Sequence, residues 1–151
     1  MVPAALAQQV SIVGIKVLEE GFYTANETGE TKPAPAGVNG KVTQQANWHF
    51  LKEAPPARIG SNVGVRYQLI GSPQGANVKL KFVWKIPAPG VTDPQSHKTY
   101  RESTSDRIVA VGNTYLNGYG FDHQWEIVRG DWVMEIWYGE RKLTEKTFTI
   151  Q

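Results

Sequence analysis

Three histidines, fourteen acidic side chains and a scatter of serines are the residues that could do chemistry, and their spacing builds none of the familiar sites. His49 lies in Trp48-His49-Phe50, His97 in a Pro/Ser-rich stretch, and His123 beside Asp122. No two of them stand at the short interval that places two metal ligands on one element. A metal or hydrolytic site would need the fold to gather His97, Asp122 and His123. The serines at 61, 72, 96, 103 and 105 lack the Gly-x-Ser-x-Gly elbow of a strand-borne nucleophile. Glu19 and Glu20 are neighbours in a strand pattern, so they point to opposite faces and cannot act as an acid/base pair. Gly118-Tyr119-Gly120 is followed by no helix whose dipole could hold a phosphate. With no cysteine, disulfides, thiolate nucleophiles and Cys-ligated zinc are excluded. The reading is of a non-enzymatic chain with no cofactor and no metal.

Binding is better represented. Asn113 to Trp125 interleaves Tyr115, Leu116, Tyr119, Phe121 and Trp125 with Asn, Gly and Asp. Aromatic faces can stack on flat ligands while neighbouring polar groups bond their rims, which suits a glycan, a peptide or a partner protein. The contacts nominated are Tyr115, Asn117, Tyr119, Phe121, Asp122, His123 and, on an outer face beside Glu135 and Lys142, Trp137. A carbohydrate-binding module would need at least two coplanar exposed rings among Tyr115, Tyr119, Phe121 and Trp137. Large aromatic bodies are usually buried, which favours instead Phe121 and Trp125 docking into the core while the glycines turn the chain. Sixteen basic and fourteen acidic residues leave a net charge of +2 with no basic stripe, so nucleic acid is not an expected partner. No stretch is apolar enough to span a membrane as a helix.

The elements that must position these residues are strands. In Val63-Gly64-Val65-Arg66-Tyr67-Gln68-Leu69 the apolar side chains occupy every second position and share one face. Val78, Leu80, Phe82, Trp84 and Ile86 repeat the pattern against lysines 79, 81 and 85, which marks a half-buried antiparallel strand. With Gly71 to Gly75 between them, the two runs read as a hairpin. Trp132 to Tyr138 and Leu143 to Ile150 form a second hairpin, where Gly139 suits the first central position of a type II′ turn that would set Ile136 opposite Leu143. Leu143 and Phe148 are an odd number of residues apart, so a bulge near Glu145-Lys146 is expected. Val10 to Tyr23 reads as one long or broken strand with Val13, Ile15 and Val17 inward, and Val42 to Leu51 carries another. Thr99 to Glu102, Arg107 to Val111 and Gln124 to Val128 complete the set, with a loop expected over Glu27 to Gly40. Seven to nine short strands and little or no helix point to a β-sandwich.

Several phrases together resemble a known family. They are Ala54-Pro55-Pro56-Ala57-Arg58-Ile59-Gly60 leading into Gly64-Val65-Arg66-Tyr67, then Phe82-Val83-Trp84-Lys85-Ile86-Pro87-Ala88-Pro89-Gly90. Gly130-Asp131-Trp132 before the final hairpin joins them. The chain resembles, from about Val13 onward, a domain-of-unknown-function family found in exported proteins of Gram-negative bacteria. The resemblance implies an all-β, immunoglobulin-like antiparallel sandwich, and no activity, cofactor or catalytic residue that could be carried over.

Domain organisation is simple. At 151 residues the chain is long enough to bury one core without staples. Val2-Pro3-Ala4-Ala5-Leu6-Ala7-Gln8 resembles the end of a bacterial signal peptide, with small residues at Ala5 and Ala7. Residues 1–9 are therefore expected to be a signal-peptide remnant or tail, residues 10–151 a single sandwich domain, and the protein periplasmic or secreted.

Overall fold

The computed structural model describes residues 9–33, 36–38 and 41–151, and the side chains of all of these except 27–32 and 41–45. The alanine-rich start, residues 1–8, lies outside the described residues. Ten strands follow one another: β1 (Ser11–Pro33), β2 (Lys41–Phe50), β3 (Asn62–Ser72), β4 (Asn77–Lys85), β5 (Val91–Thr92), β6 (Thr99–Tyr100), β7 (Glu102–Ala110), β8 (Thr114–Gly120), β9 (Gly130–Tyr138) and β10 (Arg141–Ile150). Two four-stranded antiparallel sheets result, ordered β2-β1-β3-β8 and β10-β9-β4-β7, with β5 and β6 as a small separate ribbon. The period of two explains the core between them. Val63, Val65, Tyr67 and Leu69 from β3 face Leu80, Phe82 and Trp84 from β4 and Trp132, Met134 and Ile136 from β9, all buried.

The expected β3–β4 hairpin does not form. β3 pairs with β1 and β8, while β4 pairs with β7 and β9, so residues 73–76 cross from one sheet to the other. Each strand already carries a full apolar face, and facing those sides across the sandwich buries both. The parallel crossing from β7 to β8 is laced to it: Gly75 N–H donates to the Val111 carbonyl and Val111 N–H to that of Ala76, both at 2.9 Å.

Bulges set the registers. In the β9–β10 hairpin Gly139 has φ of 57°, as the first central residue of a two-residue turn requires, and Arg141 pairs with Tyr138. Ile136 pairs with Thr144 because the bulge falls at Leu143, two residues before the expected place. The bulge resolves the parity conflict between Leu143 and Phe148, since Leu143 still packs against the core that contains Phe148. A bulge also sits at Val13, which is 74% exposed and not inward, while Ile15 and Val17 pack against the core.

Glu27 to Pro33, expected as loop, continues β1 and pairs with the first part of β2, from Glu27↔Gln45 to Pro33↔Lys41. Backbone pairing overrides the Gly/Pro/Thr composition there. The hairpin crown is tied to β7, where Thr104 N–H donates to the Ala36 carbonyl at 3.0 Å and Val38 N–H to Ser103 Oγ at 3.0 Å. Gln124–Glu126, expected within a strand, is a single 3-10 turn.

Candidate functional site

The nominated segment Asn113 to Trp125 is mostly a strand. β8 pairs Tyr115 with Tyr67, Asn117 with Val65 and Tyr119 with Val63. Directly opposed residues share a face, so all three point inward with buried partners. Phe121 is fully enclosed, edge-on to the Trp132 ring at 5.1 Å, and has no surface left for a ligand. This corrects its nomination as a contact, and the period of two is the reason: rings at 115, 119 and 121 belong to the inner row. Tyr115 accepts the Ala110 N–H at 2.7 Å and lies under the Arg107 guanidinium. Burial, and then the neighbouring carboxylate of Glu126 to which its hydroxyl donates, push the Tyr119 phenol far above its ordinary range.

Asp122 and His123 remain exposed at the sandwich end, with Trp125 half-buried. The His123 and Trp125 rings stack at 5.1 Å and 18°, and buried Glu126 holds the imidazole through Nδ1 at 2.8 Å. His97 lies in the β5–β6 loop with φ of 59°. No group of three or more His, Asp or Glu side chains able to hold a metal forms among the described residues, so His97, Asp122 and His123 do not assemble the metal site considered above.

Trp137 faces out from the other sheet between Lys81 on β4 and Lys142 on β10. Both ammonium groups approach its ring, at 5.8 and 6.0 Å, so the protein's own cations already occupy it. Its Nε1–H donates to Glu135 at 3.0 Å. Burial works against the Glu135 carboxylate, but this hydrogen bond and the ammoniums of Lys85 and Lys142 outweigh it and hold its pKa below the ordinary 4.5. A depressed folded-state pKa contributes stability above the unfolded value, and that contribution disappears as pH falls through the folded one. Urea midpoints should therefore show Glu135→Gln least stable relative to wild type above pH 4.5, with the gap closing on acidification. A gap that widens toward low pH would contradict this.

The arrangement that sequence reasoning missed lies on the outer face of the β2-β1-β3-β8 sheet. Gly21, Gly64 and Gly118 stand side by side on β1, β3 and β8. A Cβ on Gly118 would fall 2.8 Å from the Trp48 ring and closer still to the Tyr23 hydroxyl. Of the three, Gly118 is the one that leaves room for the rings: Tyr23 lies against it, 2% exposed, with Trp48 stacked on it at 3.7 Å and 11°. Phe50 closes one side, tilted 5.5 Å from Tyr23 and 6.1 Å from Trp48. Arg66 lies 6.0 Å over Phe50 and donates from Nε to Glu19 at 2.8 Å. Trp48 and Phe50 remain partly exposed. Burial first, and then the charge of Asp122, raise the Tyr23 pKa well above its ordinary value, so the stacked phenol stays neutral. A separate groove of about 440 Å³ opens between β1 and β10, bordered by Gly21, Phe22, Leu51 and Phe148 and crossed by the Glu20–Lys146 ion pair. The signals were isolated glycines inside strand patterns, which mark a close approach, and the Trp48-His49-Phe50 alternation. Nothing in their spacing says that they meet.

The family described as a domain of unknown function (DUF3859) matches residues 12–150. The chain belongs to this family. Among solved structures, an immunoglobulin-like protein of Pseudomonas aeruginosa is similar to this DUF3859 chain at 27% identity with a TM-score of 0.61, over 97% of this chain and 99% of that one. No curated protein matches. The immunoglobulin-like, all-β architecture and the family resemblance expected from the sequence therefore stand, and the Gram-negative source of the similar structure is consistent with them. No helix among the described residues is long and apolar enough to cross a membrane.

Proposed function

We propose that this DUF3859 chain is an exported, non-catalytic binding or accessory module that takes its ligand on the outer face of the β2-β1-β3-β8 sheet. The observation that carries the reading is the Tyr23–Trp48 stack seated against Gly118. β8 gives up a side chain at Gly118 where the ring pair sits outside the sandwich core, and the outer indole is left partly in solvent. A ring fixed before the ligand arrives loses little conformational entropy on contact, which is what makes rigid aromatics effective at recognition surfaces. Export is supported by the small-residue pattern at Ala5 and Ala7.

The test is comparative capture from a periplasmic extract with wild type, Trp48→Ala and Trp137→Ala, each checked for folding by its thermal transition. A ligand retained by wild type and Trp137→Ala and lost by Trp48→Ala is the expected result. Equal recovery on Trp48→Ala would remove the platform from the account, and recovery lost only on Trp137→Ala would move the site to the other sheet.

A further inference from the structure

The geometry points to a neutral saccharide as the ligand of the Trp48 platform, an inference that rests on the binding reading above and gives its ligand a chemical class. One face of the indole is taken by Tyr23 at 3.7 Å, and no other ring among the described residues stacks flat on the partly exposed indole, which supplies the flat apolar surface at this site. A pyranose ring offers a matching sheet of axial C–H groups on one side and a rim of hydroxyls around it. Beside the rings, Arg66 and Glu19 meet at 2.8 Å and remain partly exposed, with side chains 32% and 48% accessible. The bond uses Arg66 Nε, and the guanidinium Nη groups have no protein partner among the described residues. A donor fork next to a carboxylate acceptor suits two neighbouring hydroxyls, since each hydroxyl both donates and accepts. The Trp48 Nε1–H has no partner among the described residues either and supplies one more donor at the edge of the stack.

Charge decides against the other flat ligands. A nucleotide would stack as well, but its phosphate needs a net cationic rim, and here the guanidinium is neutralised by Glu19. An uncharged ligand rich in hydroxyls needs no such excess and leaves the ion pair intact. Phe50, set at 47° to Trp48, forms a side wall that a single ring can lean on.

The experiment uses the full chain and follows the tryptophan indole signals by NMR while hexasaccharides of glucose, of galactose and of N-acetylglucosamine are added in turn, with a nucleoside monophosphate and a proline-rich peptide as the other arms. Saccharide binding that shifts the Trp48 indole signal, weakens about tenfold or more (~1.4 kcal/mol) in Trp48→Ala, and weakens in Arg66→Lys, which keeps the charge but loses the fork, is expected. Trp48→Phe, which retains a stacking ring, should bind between the two and guards against a variant that fails to fold. Binding of the nucleotide or peptide in place of every saccharide, or no saccharide binding at millimolar concentration, would overturn the saccharide assignment. In that event a ligand captured through Trp48 would leave the binding module standing, and its absence as well would sink both.

Discussion

Gly64→Ala should destabilise the domain by about 3 kcal/mol, the upper end of what overpacking costs, because the new methyl group meets backbone and not a side chain that can swing aside. Its Cβ would lie 2.6 Å from the Gly118 Cα and nearer still to the Asn117 carbonyl oxygen, both on the paired strand β8. Relief requires β3 and β8 to separate, and β8 carries Tyr119 and leads into Phe121, which close the core against Trp132. Local strand propensity would favour alanine over glycine, so a stabilised variant would refute the close approach outright. Gly14→Ala is the control: it has open space around it and no positive φ, and should change stability by no more than ~0.5 kcal/mol. Both are read as urea midpoints followed by tryptophan fluorescence.

The second large effect belongs to Trp132. Its ring is fully buried among Tyr119 at 4.9 Å and Phe121 at 5.1 Å, and its Nε1–H donates to the Val128 carbonyl at 2.7 Å. Trp132→Ala removes the largest enclosed side chain at this end of the sandwich and should cost about 3–5 kcal/mol. Part of that loss comes from the cavity left behind and part from a carbonyl left without its donor. Trp132→Phe keeps most of the volume and loses the hydrogen bond, so it should fall between wild type and alanine. If the phenylalanine variant were as damaged as the alanine one, the hydrogen bond and not the packing would dominate. The same end holds the His123–Glu126 pair, so loss of order should extend into the 3-10 turn.

These two sites differ in how far the sequence announces them. Trp132 lies in an alternating run with Met134 and Ile136, and period two alone places it inward. The same rule applied to Tyr115, Tyr119 and Phe121 would have found β8, but interleaved Asn and Gly read as turn chemistry and hid the strand. The crossings between sheets were also concealed, since a run with one apolar face does not say whether its neighbour in sequence lies beside it or across the core. The β3–β4 pair shows this directly. The β10 bulge was legible as a parity conflict between Leu143 and Phe148, though not at its true position. The Trp48 platform depends on contacts among residues 23, 48, 50 and 118, far apart in the chain, and on a glycine whose role appears only when the strands line up. Fold class follows from local periodicity; this site follows from register, which local periodicity does not contain.

The central claim, that the partly exposed indole of Trp48 receives the ligand, is tested most directly by the five tryptophan indole N–H signals of the folded protein. Trp84 and Trp132 are buried, Trp125 stacks on His123, and Trp137 lies between Lys81 and Lys142, so each reports a different surface or the core. On addition of periplasmic extract, the account predicts that the Trp48 signal broadens or shifts with the amides of 49, 50 and 66 while the Trp125 and Trp137 signals stay in place. A response confined to Trp125 or Trp137, with Trp48 unmoved, would contradict it.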